Sequence, residues 1–288
     1  MAHTIGLLHP GEMGATVGAA ARLNEVPVVW ASDGRGPQTR GRAEAAGLAD
    51  VGSLPAVVEH SGIILSVCPP HAATELARTV AEQRFSGVYV DANAVSPATS
   101  RDVRQIVEAA GARFVDGGII GPPALKPGTT RLYLSGVEAA RVAACFRHGP
   151  LEACVLDGPP GAASALKMTY AAYTKGSAAL LIAIRTLAMH EGVDAALLHE
   201  WDLSQAELPG RSAGAVRSNA RKAWRFSGEM EEIADTFAAA GLPDGFHRAA
   251  AEVYRRLSGY KDATSPPSVE DAARQILAGT ASDKNSAS

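Results

Sequence analysis

The sequence predicts an α/β domain followed by an all-α domain, the two joined by a long helix. Three observations predict it. Short apolar runs alternate with helix-forming stretches up to a breaker cluster, Gly158-Pro159-Pro160-Gly161; strand signals stop there; and Ala162 to Glu191 is then a long proline-free run rich in Ala and Leu. Strands alternating with helices at this spacing imply right-handed crossovers and a parallel sheet. Residues 1–160 are therefore assigned to the α/β domain and 161–279 to the helical domain, while 280–288, small and polar, are expected to be a disordered tail.

The first element carries the first chemical signal. Thr4 to Leu8 is a continuous apolar strand, Ala15 to Leu23 is a helix, and between them lies the turn His9-Pro10-Gly11-Glu12-Met13-Gly14. A strand that enters a helix through a glycine turn presents backbone N–H groups and the positive end of the helix dipole to an anion, which makes a pyrophosphate cradle. Gly11 lets the backbone approach the phosphates, Gly14 lets helix and strand pack closely, and Gly18 extends the small-residue seam by a turn. The first glycine of the usual G-x-G-x-x-G is absent, and His9 stands in its place.

A second strand, Pro27 to Ala31, leads into a polar loop running from Ser32 to Arg40. In a dinucleotide-binding fold this loop meets the adenosine ribose: an acid there suits a free 2′-hydroxyl, whereas Ser with Arg suits a 2′-phosphate. Asp33 is acidic, but Ser32, Arg35, Thr39, Arg40 and Arg42 surround it, and a guanidinium is the better partner for a phosphate. The balance favours NADP(H), with NAD(H) still possible; arginine-rich surface loops also occur where no ligand binds.

Gly62 to Val67 and Gly87 to Val90 are the next strands, ending in Cys68-Pro69-Pro70 and in Asp91-Ala92-Asn93-Ala94-Val95-Ser96-Pro97. Such turns at the carboxyl ends of parallel strands are where ligands bind, although Asn93 and Ser96 also suit turn and N-cap roles. Ala112 to Val115 is followed by the turn Asp116 to Pro123, and Arg131 to Ser135 and Ala153 to Leu156 complete the sheet around a helix over Val137 to Phe146. In the long helix, Lys167 lies among Ala165, Leu166 and Met168, with Tyr170 and Thr174 on its face. A lysine in an apolar setting loses solvation in its charged form, which suits it to proton transfer. Composition alone favours an ammonium that snorkels to the surface. Lys175 is a second candidate by the same argument.

Composition bounds the alternatives. The 288 residues, 47% hydrophobic and 20% charged with a net charge of −3, make an ordinary globular protein with no electrostatic footprint for nucleic acid or an anionic membrane. The most apolar stretch, Ala178 to Met189, is short for a membrane span and contains Arg185. Cys68, Cys145 and Cys154 form no disulfide framework and no metal-ligand spacing, and His9, His71, His190 and His247 are isolated, so no metal site is expected. The scattered cysteines and a first strand close to Met1 lead us to expect a cytoplasmic protein.

Taken in order, the Pro10 to Gly14 turn, the Asp91 to Pro97 turn, the Asp116 to Pro123 turn and the segment Gly161-Ala162-Ala163-Ser164-Ala165-Leu166-Lys167 resemble the β-hydroxyacid dehydrogenases, relatives of 6-phosphogluconate dehydrogenase and of the imine reductases. The resemblance covers nearly the whole chain. It is narrower to a branch of phosphogluconate dehydrogenase-like proteins with a distinct C-terminal helical domain of the DUF1932 type. It implies an N-terminal Rossmann domain, a helical domain for substrate and dimerisation that builds an intertwined homodimer, and hydride transfer at a cleft between them. It places His9, Pro10, Gly11, Glu12, Met13 and Gly14 at the phosphates, Ser32 and Arg35 at the ribose loop, and Cys68, Pro69 and Asn93 beside the cofactor. Ser96, Gly121, Tyr170 and Thr174 fall to the substrate, and Lys167 matches the catalytic lysine that exchanges a proton with the substrate oxygen.

Three departures bear on the substrate. Ile120-Gly121-Pro122 replaces a Ser-Gly-Gly that serves hydroxy acids, Ala171 replaces an asparagine four residues after the lysine, and Glu229-Met230-Glu231-Glu232 stands where a Lys-Asp pair is usual. That acidic cluster reads as a solvated face; with Glu229 and Glu232 turned into the cleft it would repel an acid and favour a cation. Three activities are compatible with the residues: a dehydrogenase or reductase of a small hydroxy or carbonyl substrate using Lys167, an imine reductase, or a non-catalytic NADP-binding protein.

Overall fold

Apolar residues alternate along the strands in a way that decides the architecture. Ile5 and Leu7, with Val28, Ile63, Leu65, Val88 and Val90, face one way and pack with Val17, Ala20 and Ala21, while Leu8, Val29, Ile64, Tyr89 and Phe114 face the other way with Val57, Ala77, Val80 and Val103. Because successive strand residues point to opposite faces, strands buried on both sides need helices on both sides. The computed structural model describes residues 4–284 and shows that arrangement.

Eight strands form one sheet: β1 (Ile5–Leu8), β2 (Val28–Trp30), β3 (Ala49–Asp50), β4 (Ile63–Ser66), β5 (Val88–Asp91), β6 (Arg113–Ile120), β7 (Thr130–Ser135) and β8 (Leu151–Val155), in the order β3-β2-β1-β4-β5-β6-β7-β8. The winding reverses between β1 and β4, which makes their carboxyl ends the switch point where such sheets bind ligands. Helices α1 (Glu12–Arg22), α2 (Pro37–Ala45), α3 (Leu54–His60), α4 (Ala73–Glu82), α5 (Pro97–Ala109) and α6 (Ala139–Ala143) make the connections.

Around β6 and α6 the sheet differs from the sequence expectation. Strand β6 does not end at Val115 but runs on through Asp116, Gly117 and Gly118 to Ile120, and β7 pairs with it antiparallel. The Asp-Gly-Gly run looked like a turn, yet both glycines serve close packing. A Cβ on Gly117 would stand 2.9 Å from the Asp91 carbonyl, and one on Gly118 would stand 2.7 Å from the Ala163 carbonyl and 3.2 Å from Lys167 Cβ. The helix over Val137 to Phe146 is shorter than expected, α6 being followed by a 3₁₀ turn at Ala144–Phe146.

The chain divides into two compact units, up to Met168 and from Thr169 on, a division that falls inside α7 (Ala162–His190) rather than at its start. The second unit contains α8 (Asp194–Ser204), α9 (Leu208–Asn219), α10 (Ala223–Ala239), α11 (Gly245–Arg256) and α12 (Val269–Lys284). Helix α12 continues to Lys284, into the stretch expected to be a disordered tail; 285–288 lie outside the described residues. Within this unit Arg185 is buried and bidentate to Asp194 at 2.6 and 2.9 Å, with a third bond to Ser212, tying α7 to α8 and α9. Among the described residues no helix is long and apolar enough to cross a membrane.

The close approach at Gly118 gives a test of this packing. Gly118→Ala should lower unfolding stability by about 1–3 kcal/mol in urea titrations, since the new methyl meets helix backbone that cannot yield. Gly228→Ala, inside α10 with no atom within 4 Å of the added carbon, should instead stabilise by about 0.5–1 kcal/mol.

Candidate active site

At the end of β1 the chain turns on His9, whose φ of +67° lies in the left-handed region, and Gly11 caps α1. The Gly11 N–H donates to the His9 carbonyl at 2.8 Å. Gly14 is obligatory, because a Cβ there would come within 2.5 Å of the same carbonyl, whereas a Cβ on Gly11 would meet nothing within 4 Å. The turn is thus closed on its sheet side and open above Gly11. With the start of α1 behind it, this is a cradle that fits a pyrophosphate.

The loop after β2 is held in shape by its own backbone. Gly34, at φ +68°, lets Arg35 N–H reach the Ser32 carbonyl at 3.0 Å, and Arg40 grips the Ser32 and Arg35 carbonyls at 2.9 and 3.1 Å. The Ser32 hydroxyl is directed to Asp50 and, with the Gly52 N–H, holds that carboxyl below its usual range. Arg35 turns the other way, and its Nη2 donates to His9 Nε2 at 2.5 Å. Burial first, and the Arg35 charge second, push the His9 imidazole down to about 4, while burial also lowers the Arg35 guanidinium. The sequence places His9 in the phosphate turn, where a glycine is usual, but nothing in it links His9 to a residue 26 positions away.

The ends of β4 and β5 are joined by Asn93. Its Oδ1 accepts from the Cys68 N–H at 2.5 Å, its Nδ2 donates to Ser66 Oγ at 3.0 Å, and its own N–H donates to Asp91 at 3.0 Å. Asn93 and Ser96 are buried, and Ser96 caps α5 through the Thr99 N–H, so both do the turn and capping work that their types allow. Burial and the Asp91 charge push the Cys68 thiol up to about 12, making it an inert neighbour of the site rather than a nucleophile. Pro69 follows it into a short 3₁₀ turn, Pro70–Ala72.

Lys167 is placed by the start of α7. Buried Asp116 accepts from Ser100 Oγ (2.9 Å), Ser135 Oγ (3.0 Å), Ser164 N–H (2.9 Å) and Ser164 Oγ (2.5 Å), and the Ala163 N–H donates to Ser135. These bonds pin the first turn of α7 onto β6, over Gly118. One turn further on, Lys167 Nζ donates to the Ile119 carbonyl at 2.6 Å. The ammonium therefore lies at the carboxyl end of β6 instead of snorkelling away. Gly121, at φ +125°, leaves no room for a side chain, since a Cβ there would collide with the Thr129 carbonyl, and it turns β6 toward β7. Tyr170 and Thr174 stand in the second unit, where Thr174 donates to the Tyr170 carbonyl.

Also in that unit, Glu229 is not on a solvated face. It is 8% exposed and pairs with Lys175 at 2.5 Å, beside the Phe226 ring and Tyr254, whose hydroxyl donates to the Lys175 carbonyl. Burial and the Glu229 charge raise the Tyr254 phenol. Glu231, by contrast, meets Arg248 and Arg255 at the surface.

Comparison with known proteins agrees with this fold. Residues 188–257 match the Domain of unknown function (DUF1932). An uncharacterized 28.5 kDa protein encoded in the 7S RNA 5′ region of Methanothermus fervidus is 30% identical over 190 residues, covering 66% of this chain and 72% of the relative. A conserved protein of unknown function, whose structure is similar to 3-hydroxyacid dehydrogenases, is 27% identical over 95% of this chain and 99% of its own, with a TM-score of 0.65. The chain belongs to the β-hydroxyacid dehydrogenase-like family with a DUF1932 C-terminal domain. Mycobacterium tuberculosis 3-hydroxyisobutyrate dehydrogenase with L-serine has the same fold at 18% identity, covering 96% and 99% of the two chains with a TM-score of 0.66. In this family member the first motif glycine has become His9, and the acidic helix of the second unit has given Glu229 to Lys175.

The His9 environment fixes an acid-stability prediction. Its folded-state value, about 4, lies below the ordinary 6.5, so the unfolded chain binds this proton more readily; the stability is complete above pH 6.5 and is lost as pH falls toward 4. The loss should be on the order of 3 kcal/mol. In urea titrations from pH 7 to 4, His9→Asn, whose side chain tolerates a positive φ and does not titrate, should lose less stability than wild type by about that amount.

Proposed function

We propose that this protein is an NAD(P)-dependent oxidoreductase acting on a small hydroxy or carbonyl substrate, with Lys167 as its general acid and base. The observation that carries the reading is Lys167 Nζ at the Ile119 carbonyl, at the same carboxyl edge of the sheet as the cradle at Gly11. The cradle fits a dinucleotide: Gly11 to Gly14 would receive the pyrophosphate, and Arg35 would meet the adenosine ribose. Arg35, which forms no ion pair with a carboxylate among the described residues, supports NADP(H) over NAD(H). A bound nicotinamide supplies or accepts the hydride.

The chain's own part is positioning and proton transfer. In reduction, Lys167 Nζ gives a proton to the oxygen that becomes a hydroxyl, and in oxidation neutral Nζ takes it back. Asp116 and Gly118 keep the lysine in place through the helix start. A second reading, an imine reductase, is favoured by one observation: Ile120 brings no hydroxyl where hydroxy-acid enzymes carry serine, and Gly121 is closed against Thr129. Exposed Tyr173, Leu180 and Leu187, seven residues apart along α7, form an apolar ridge that supports a homodimer. Three free cysteines, with thiols raised by burial, fit a reducing cytoplasm.

Lys167→Ala tests the central role. Against a panel of small β-hydroxy acids, their oxo forms and cyclic imines, the variant should lose about 10²–10⁴-fold in kcat while its affinity for NADPH stays within about threefold. Undiminished turnover on a substrate used by wild type would remove Lys167 from the mechanism.

A further inference from the structure

His9 carries two costs that a glycine in the same place would not. Its backbone sits at φ +67°, a region that disfavours side chains. Its Nδ1 is buried without a hydrogen-bond partner. The tautomer follows from the Arg35 contact: a guanidinium only donates, so Nε2 must accept, and the proton is left on Nδ1. Among the described residues, the other two side-chain-bearing ones with positive φ, Glu25 and Arg84, have an ordinary explanation. Each comes just after a helix, α1 and α4, and its N–H closes the helix end on a carbonyl three residues back. His9 follows a strand, so no helix end accounts for it.

What His9 gains is Arg35. The Nη2 to Nε2 bond of 2.5 Å ties the loop after β2 to the phosphate turn. The partner is neutral, so the guanidinium is held without losing its charge. Among the described residues no carboxylate forms an ion pair with Arg35; the nearby acid, Asp50, is engaged by Ser32 and Gly52 and faces Arg40. A carboxylate at position 9 would give the same tether and cancel the cation.

We propose that His9 is the positioning residue for cofactor selectivity, holding the Arg35 guanidinium as an uncompensated cation at the mouth of the turn so that the site takes a nucleotide with a 2′-phosphate on its adenosine ribose. This rests on the reading of the turn as a nucleotide site and adds the device that selects the nucleotide. Ser32, whose hydroxyl is committed to Asp50, plays the smaller part.

Fluorescence titration of the full chain with NADPH and NADH, and competition by 2′,5′-ADP against 5′-AMP, test it. Wild type should prefer the 2′-phosphorylated member of each pair by about 10–100-fold. His9→Gly should fold with its melting temperature kept, since both local costs vanish, yet its ratio of NADPH to NADH affinity should fall to that of Arg35→Ala. His9→Gln, a neutral acceptor, should retain the preference, and His9→Glu, a charged one, should abolish it. A His9→Gly ratio equal to wild type, with Arg35→Ala still defective, overturns the role of His9 and leaves the proposed function standing. Wild type that binds NADH as well as NADPH also overturns it. Wild type that binds neither removes the nucleotide site and the proposed function together.

Discussion

The site depends first on one buried carboxylate. Asp116 is fully enclosed, and an ionised carboxylate in that setting costs several kcal/mol unless its lone pairs are met. They are met by groups from α5, β7 and α7 at once, so the price of burial becomes a constraint on where those elements can lie. The first N–H groups of a helix have no partner within it. Here Ser164 gives its N–H to Asp116 and Ala163 gives its N–H to Ser135, so α7 begins against the sheet and nowhere else. Gly118 then removes the one atom that would keep helix and strand apart, and Lys167 arrives at Ile119 as a consequence.

A second constraint works at the other end of the same strand edge. Asp116 is an anion satisfied by neutral donors, and Arg35 is a cation held by a neutral acceptor, His9. Each uses hydrogen bonds, not an opposite charge, and so fixes a position without cancelling the charge that it fixes. For Asp116 the charge is structural. For Arg35 it is the property that a phosphate would recognise.

Much of the fold was legible in the sequence because it is written in local pattern. Apolar runs bounded by turn residues marked seven of the eight strands, and β3, only Ala49–Asp50 and exposed, carries no such run. The extension of β6 was hidden because Gly117 and Gly118 suit a turn in isolation, and only the helix laid across them shows why a strand needs them. The site was legible residue by residue but not as a set of contacts. His9, Asp116 and Lys167 meet partners 26, 48 and 48 positions away, distances at which no periodicity operates. Glu229 was misread for the same reason: three acids in four residues look solvated, and Lys175, which buries one of them, lies on another helix.

That pairing changes the weighing of substrates. A case for a cationic substrate would rest on free negative charge in the helical unit, but Glu229 has its charge neutralised by Lys175, and Glu231 is bound to Arg248 and Arg255. Within the second unit these acids therefore provide little field to attract a cation or to repel an acid. Among the other departures, the missing hydroxyl at Ile120 still counts against an acid. A hydrogen bond to a carboxylate contributes about 1.5–3 kcal/mol, so its loss weakens binding of an acid without forbidding it. Lys167, in its proposed role of exchanging a proton with the reacting oxygen, is untouched by either change. On the proposed reading the balance therefore moves toward a weakly acidic or neutral hydroxy or carbonyl compound, recognised chiefly at its reacting oxygen.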